Sequence, residues 1–481
     1  MSLLEVNHPK KNEVDLKLLN SNESGNVEIL HLKGPRGAVL LSLGIMIQNH
    51  PFATLEFMKN AYGDYVYCPW VNRKSLFLFS PIGVHHILKH NHQNYQKSHE
   101  YKFLKPLVGE GLLTSETNLW RQRRKLMSKE FHPEQLLAYV DSMHEIIKEY
   151  LGILNQKIAK PETEVFDVAP FLMNLTFKIA GKIFFGANLD HFSEAASTAL
   201  SEELECIQER TRNPFDLPIW VPIAKNRKSN KNRKILNEII NQLINSQSQN
   251  EQGHNFLTKL LGINKTHPEE IDLQGVRDEV MTLMLAGHET TSVALMWTLW
   301  LLAKHPQWQE KILEELRTVL VDRKLTNLEE LSKGDLDKCK ILKAVLQESM
   351  RMYAPIPMIS RNAINDDLVE GRLIEKNTSV HICVKMAHLD PRYWDRPNEF
   401  MPERFYDSSW KKVDGQYFPF ALGPRACIGE QLAISEGMLI LAYLLQNFHF
   451  SPVEGVVPEP IAHLTLRSLN GMKLKITSRR L

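Results

Sequence analysis

Apolar residues recur at helical spacing through most of the middle of the chain. Stretches near 134–159, 194–210, 233–248, 272–304, 306–321 and 336–353 place them three and four residues apart, the period of a helix with one apolar face. β-type runs are short: 65–68, 75–79 and 379–383, and residues 455–481 again read as short strands and turns. The pattern predicts a mainly α fold, a large helical domain with small β-sheets at one side. The stretch 272–304 stands out. Asp272 caps it, Lys304 ends it before Pro306, and it is apolar on most sides, which marks a buried helix. About 32 residues at 1.5 Å each make it roughly 48 Å long, enough to cross a whole domain.

Other stretches break the pattern. Residues 225–234 carry six basic residues in ten and read as a solvated loop and helix start. A membrane-facing or substrate-access loop is the other reading, since Trp220-Val-Pro222 precedes them. Residues 390–419 have the Pro/Asp/Arg composition of an irregular, ordered loop. Residues 38–47 are apolar but far too short to cross a bilayer. They read as a buried first helix, with peripheral membrane contact as the alternative. Residues 1–33 form a polar tail with neither a signal-peptide core nor a membrane anchor, and 34–481 are expected to be one domain.

Composition narrows the function classes. The chain is 43% hydrophobic and 24% charged, with a net charge of +2, so bulk nucleic-acid binding is not expected. Cys68, Cys206, Cys339, Cys383 and Cys427 are odd in number, scattered and without CxxC pairing. That argues against a disulfide framework or structural zinc and for a reducing, cytoplasmic setting.

One cysteine has a distinctive neighbourhood. Phe420-Ala-Leu-Gly423-Pro-Arg425-Ala-Cys427-Ile-Gly429 fits F-x-x-G-x-R-x-C-x-G at every fixed position. Background composition gives such a match with odds on the order of one in ten thousand. Gly423 and Gly429 let the backbone turn tightly and approach a flat ligand. Cys427 is read as opening a helical run, 428–448, whose N-terminal amides and dipole favour a thiolate. A structural cysteine beside a surface arginine is the bland alternative. A cysteine hydrolase with His381 or His388 as base is another.

This motif resembles that of the cytochrome P-450 family, and the resemblance runs from about Gly34 to the C-terminus. It implies haem b held by Cys427, the metal ligand. A thiolate on haem iron pushes electron density towards the distal oxygen and favours O–O cleavage. Arg425 has the charge for a haem propionate, a bond contributing roughly 1.5–3 kcal/mol. Phe420 and Gly429 belong to the same cofactor loop.

Three further motifs agree. Ala286-Gly287-His288-Glu289-Thr290-Thr291 interrupts the long apolar helix and resembles the family's oxygen-activating A-G-x-[DE]-T. By that resemblance Ala286 and Gly287 make room over the iron, Thr290 hydrogen-bonds dioxygen and Glu289 relays protons, apt roles because two protons must arrive before water leaves. The bland reading is that Thr290 bonds back to the Ala286 carbonyl and bends the helix. Glu348 and Arg351 share a helix face, and the family joins them to a second arginine, here Arg404, in a buried network. Trp120 and Arg124, at i and i+4, resemble a propionate-facing pair, with Arg121, Arg123 and Lys125 alongside as a docking patch or a solvated face. Arg361 matches another propionate position.

The implied reaction puts one oxygen atom of dioxygen into a substrate and the other into water. No GxGxxG follows a predicted strand, so electrons are expected from a separate ferredoxin, flavodoxin or diflavin reductase. The resemblance places the substrate lining at 98–113, 206–222, 283–291 and 354–359, including Tyr101, Phe103, Leu107, Phe215, Leu283, Ala286 and Ile356 to Ile359. These are mostly apolar, so a lipophilic substrate is expected, with a fatty acid or terpenoid as the guess. A peroxide-driven peroxygenase and a non-catalytic haem sensor are the rival haem readings. Intact Glu289 and Thr290 argue against both.

Overall fold

The computed structural model describes residues 30–479 apart from 71–72, 160–164, 188–189, 213–216, 249–254 and 324–330. Its axis is a helix at Leu273–Lys304, the central helix, capped by Asp272, whose side chain accepts from the Gly275 N–H at 2.7 Å. It is buried over most of its circumference, as its all-round apolar sequence requires. Val168–Phe185 packs along it. This second helix is long and apolar enough to span a bilayer, yet most of it lies inside the core. Pro133–Ile158, Lys340–Met352 and Glu430–Asn447 complete the helical core. Trp297, fully buried, donates from Nε1 to the Leu466 carbonyl at 2.7 Å and stacks on Tyr353 at 4.1 Å.

The expected short strands gather beside the helices. Tyr65–Trp70, Arg73–Leu78, Ser379–Cys383, Met358–Ala363 and Tyr95–Lys97 form one sheet in that spatial order. Only the Arg73–Leu78 and Ser379–Cys383 pair is parallel. Near the C-terminus, Pro460–Ala462 and Leu466–Ser468 form a hairpin whose turn is 463–465. Residues 390–419 are irregular apart from a 3-10 turn at Pro402–Phe405, as their composition implied.

Four expectations change. Of the loop and helix start expected at 225–234, the helix start holds and the loop does not. These residues form the first turns of the helix Ala224–Ser248, because Asn226, Ser229 and Asn232 make a buried polar stripe. Ser229 donates to Glu203 at 2.8 Å, and Asn226 donates to the Pro218 and Val221 carbonyls. Of the basic residues in this stretch, Lys225, Lys228, Arg233 and Lys234 pair with Glu209, Glu202, Glu203 and Glu238. The first helix, Gly37–Asn49, is not buried: Leu40 and Leu43 face inward, while Leu41 and Ile45 are 66% and 65% exposed. Arg123 does not join a surface patch. It is buried 3.6 Å from Glu279. Residues 30–33 are held, since Leu30 N–H donates to Gly371 and the Lys33 carbonyl accepts from Tyr67. The rest of the expected tail, 1–29, lies outside the described residues.

Candidate functional site

The cysteine motif is a tight loop rather than a helix start. Cys427 N–H donates to the Phe420 carbonyl at 2.8 Å and Ala426 N–H to Gly423 at 3.0 Å. Gly423 has φ of +72°, and a Cβ there would lie 2.2 Å from the Leu88 carbonyl oxygen, so glycine is required. Gly429 has an ordinary φ of −93° and room for a Cβ, so the turn itself does not demand it. The helix begins at Glu430, with Gly429 as its N-cap. Cys427 therefore stands two residues before the cap instead of opening the helix. His388 fixes the loop from behind, accepting from Phe418 N–H at 2.9 Å. Burial pushes its imidazole down to about 3, with Arg351 adding to the effect. That partner, and the 2.9 Å pairing of His381 with the Ser360 hydroxyl, commit both histidines elsewhere than to Cys427.

Cys427 is the exposed cysteine of the five; the others are buried. Its sulfur opens on an internal cavity of about 670 Å³, within the range of ligand pockets. Burial pushes the thiol up, while the Gly429 N–H and the Arg124 guanidinium pull it down. Expected thiolate stabilisation is thus present as one backbone amide and one arginine, and burial outweighs it until a cation binds the sulfur.

The cavity joins residues that the sequence holds far apart. Phe420, Arg425 and Gly429 come from the cysteine loop, Arg361 from Met358–Ala363, and Ala286, Gly287, Glu289 and Thr290 from the central helix. Trp120 and Arg124 lie on Thr117–Ser128, which packs against the same loop. Arg124 donates to the Ala426 carbonyl at 2.8 Å, and the Arg425 guanidinium sits 4.7 Å from the Trp120 ring centre.

Two residues unnoticed in the sequence complete this rim. Glu116 pairs with Arg425 and accepts from Lys97 N–H at 2.7 Å. The Lys97 ammonium donates to the Leu112 and Ser115 carbonyls. Burial pushes it down to about 7 against the pull of Glu116, and nearby Arg425 and Arg361 push the same way. Arg425 and Lys97 thus meet at one carboxylate. Such a donor set suits a ligand bringing further negative charge, and the two propionates of haem fit it. No apolar or alternating pattern in the sequence marked Lys97, which ends the three-residue strand Tyr95–Lys97.

On the central helix, Thr290 borders the cavity and its hydroxyl donates to the Ala286 carbonyl at 2.9 Å. The back-bonded geometry and the cavity position therefore coexist. Glu289 is buried and turned to the C-terminal hairpin. Its Oε1 accepts from Thr465 Oγ1 at 2.6 Å and from Arg467 Nε at 2.8 Å. Behind the site, Glu348 and Arg351 are fully buried and paired at 2.7 and 2.8 Å, with Arg404 Nε at 3.3 Å. Arg351 also donates to the carbonyls of His388, Pro397 and Glu399.

The lining matches most of the expectation. Tyr101, Leu283, Ala286 and Ile356 to Ile359 border the cavity. Leu107 is instead core, and Phe103 packs beside it. Phe215 lies outside the described residues. Phe52, Leu55, Ile183, Phe184 and Leu464 were not foreseen, because loops and distant helices supply them.

A long buried helix crossing a cavity, a lone exposed thiol in its wall and arginines at its rim define a haem-thiolate enzyme. The chain belongs to the cytochrome P450 family: the family model named Cytochrome P450 matches residues 32–476. It is 31% identical to the human "Cytochrome P450 4V2" over 80% of this chain and 76% of that protein. It is 29% identical to "Protein LUTEIN DEFICIENT 5, chloroplastic" of Arabidopsis thaliana, over 87% of this chain and 72% of that one. A cytokinin hydroxylase of the same plant is 28% identical over 81% and 75%. The chain is a P450 monooxygenase, and as a member of this family it binds haem b through a cysteine thiolate.

Proposed function

We propose that Cys427 is that thiolate and that the enzyme inserts one atom of dioxygen into a lipophilic substrate, a fatty acid or a terpenoid. One observation carries the reading: Cys427, Arg361, Arg425 and the Ala286–Thr290 turn border one cavity with mostly apolar walls. Haem, when bound, supplies the electrons' path to dioxygen and the O–O cleavage. The protein's residues do the rest. Arg425, Arg361, Arg124, Lys97 and Trp120 would hold the propionates. Phe420 and Gly429 would support the macrocycle from the cysteine loop, and Ala286 would leave room for it. Thr290 holds a hydroxyl towards the cavity with lone pairs to spare, and Glu289 is the acid one residue away that moves protons to it. Tyr101, Leu283, Ile356 and Ile359 exclude water around the substrate, which limits leakage of reduced oxygen.

Electrons come from a separate ferredoxin, flavodoxin or diflavin reductase. Residues 34–481 act as one domain, in the cytoplasm. Leu41 and Ile45 give it a surface for peripheral membrane contact. The test is reconstitution with each donor class and isotopically labelled dioxygen, using fatty acids and terpenoids in turn. The reading expects one labelled atom per product and a strict need for the donor. Full-rate turnover with peroxide alone identifies a peroxygenase, and haem without reductant consumption identifies a sensor.

A further inference from the structure

The cavity is mostly apolar, but one part of its wall is polar and plays no part in the haem reading. Ser98, Glu100, Ser360 and His381 border it there, with Phe77 and Tyr101 also in the wall. The sheet brings them together. Ser360 and His381 are register partners on the adjacent strands Met358–Ala363 and Ser379–Cys383. Ser98 and Glu100 follow Tyr95–Lys97, which pairs with the first of those strands. Glu100 Oε1 has neighbours: His99 Nε2 stands 3.0 Å from it, and the half-exposed Arg73 stands 3.8 Å away. Oε2 is buried without a hydrogen-bond partner, and so is Ser98 Oγ. Unpaired buried atoms of this kind mark a place where a bound group completes the pairing. His381 Nδ1 pairs with the Ser360 hydroxyl at 2.9 Å. When that hydroxyl donates, Nε2 is left as a donor. Burial pushes the His381 imidazole down, so it stays neutral. Burial pushes the Glu100 carboxyl up, but His99 leads a set of neighbours that bring it down to about 2. A neutral donor and an ionised acceptor thus border one lipophilic cavity, close enough to influence each other.

We propose that Glu100 and His381 form a subsite for a hydroxyl group, and that the preferred substrate is a lipophilic alcohol rather than a free fatty acid. This rests on the lipophilic-substrate reading above and narrows it. A hydroxyl donates to the Glu100 carboxylate and accepts from His381 Nε2 at once. A substrate carboxylate only accepts, and it brings a second negative charge against Glu100, which selects against it. An ammonium only donates, so it leaves the His381 donor unpaired. The arginines on the cavity wall do not offset this: Arg425 is paired with Glu116, and Arg361 is set for a propionate. The apolar wall, with Phe77 and Tyr101 in it, takes the rest of the molecule.

The experiment titrates haem-loaded protein with two matched pairs near neutral pH: farnesol against farnesoic acid, and dodecanol against dodecanoic acid. The shift of the Soret band on binding gives each Kd, so no turnover is needed. A hydrogen bond to a charged group changes affinity by about tenfold or more, so the wild type binds each alcohol roughly tenfold tighter than its acid. Glu100→Leu weakens the alcohols by about tenfold and tightens the acids, which removes the preference. His381→Phe weakens the alcohols severalfold. Glu100→Gln keeps hydrogen bonding without the charge, and its preference falls between those of Glu100→Leu and the wild type. If none of the four compounds binds the wild type, the lipophilic-substrate reading fails and the proposal with it. If they bind but the wild type prefers the acids or treats each pair alike, the subsite alone is overturned. The same holds if Glu100→Leu keeps the wild-type preference. Should Glu100→Leu not hold haem, Glu100→Gln carries the test, and an undiminished preference for the alcohols there overturns the subsite equally.

Discussion

At the scale of single residues, position within the protein decides which charges do chemistry and which hold structure. Glu348, Arg351 and Arg404 form a fully satisfied network away from water. Glu348→Ala leaves a buried guanidinium without its carboxylate, a loss of about 3–5 kcal/mol. Urea unfolding is the check, and a midpoint equal to wild type would contradict the assignment. This triad was legible in the sequence, because i and i+3 spacing places Glu348 and Arg351 on one face. Arg123 was not legible in the same way. It sits among basic neighbours at the level of sequence, but its helix turns it inward to Glu279. Lys97, Glu116 and Arg467 escaped notice too, since each gains meaning only from partners dozens or hundreds of residues away.

At the scale of elements, the central helix was readable to its ends, because an Asp cap, a continuous apolar surface and a following proline all agree. The short strands were also readable. Residues 225–234 were read only as a loop and helix start, because their buried face is made of Asn and Ser satisfied by Glu203 and backbone carbonyls, and no apolar period marks it. The cysteine loop was recognised by its residues, yet its conformation was misjudged: Cys427 belongs to a turn that precedes the helix. That turn makes a sharp prediction. Gly423→Ala imposes a strained positive φ, about 1–3 kcal/mol, together with a clash against the Leu88 carbonyl. The variant is expected to fold but to retain less than about half of its haem, read as the ratio of haem to protein absorbance. Full haem retention would show that the loop tolerates a different path.

At the scale of the whole molecule, buried acids set a dependence of stability on pH. Burial pushes the Glu436 carboxyl up to about 8 and Glu279 up to about 7. Between the usual carboxyl range near 4.5 and these values, the folded chain holds protons that the unfolded chain has released. Stability from these groups is therefore complete at low pH and is lost as pH rises through the folded values. Lys97 works in the opposite sense at higher pH: burial pushes it down to about 7, so its cost fades as pH climbs from there towards the ordinary lysine range. Glu436→Gln is expected to flatten the fall in unfolding midpoint between about pH 5 and 8. An unchanged slope would mean that Glu436 is already ionised. The molecule also exposes Leu41 and Ile45 on its first helix. Leu41→Asp with Ile45→Asp is expected to lower sedimentation with anionic lipid vesicles severalfold, and equal sedimentation would remove the membrane-contact reading.

The central claim is that Cys427 holds haem iron as a thiolate. Its most direct test is the absorption spectrum of dithionite-reduced protein with and without carbon monoxide, for the wild type and Cys427→Ala. The account predicts a strongly red-shifted Soret band in the wild type and its loss in the variant. A wild type without that band, or a variant that keeps it, would contradict the assignment of Cys427.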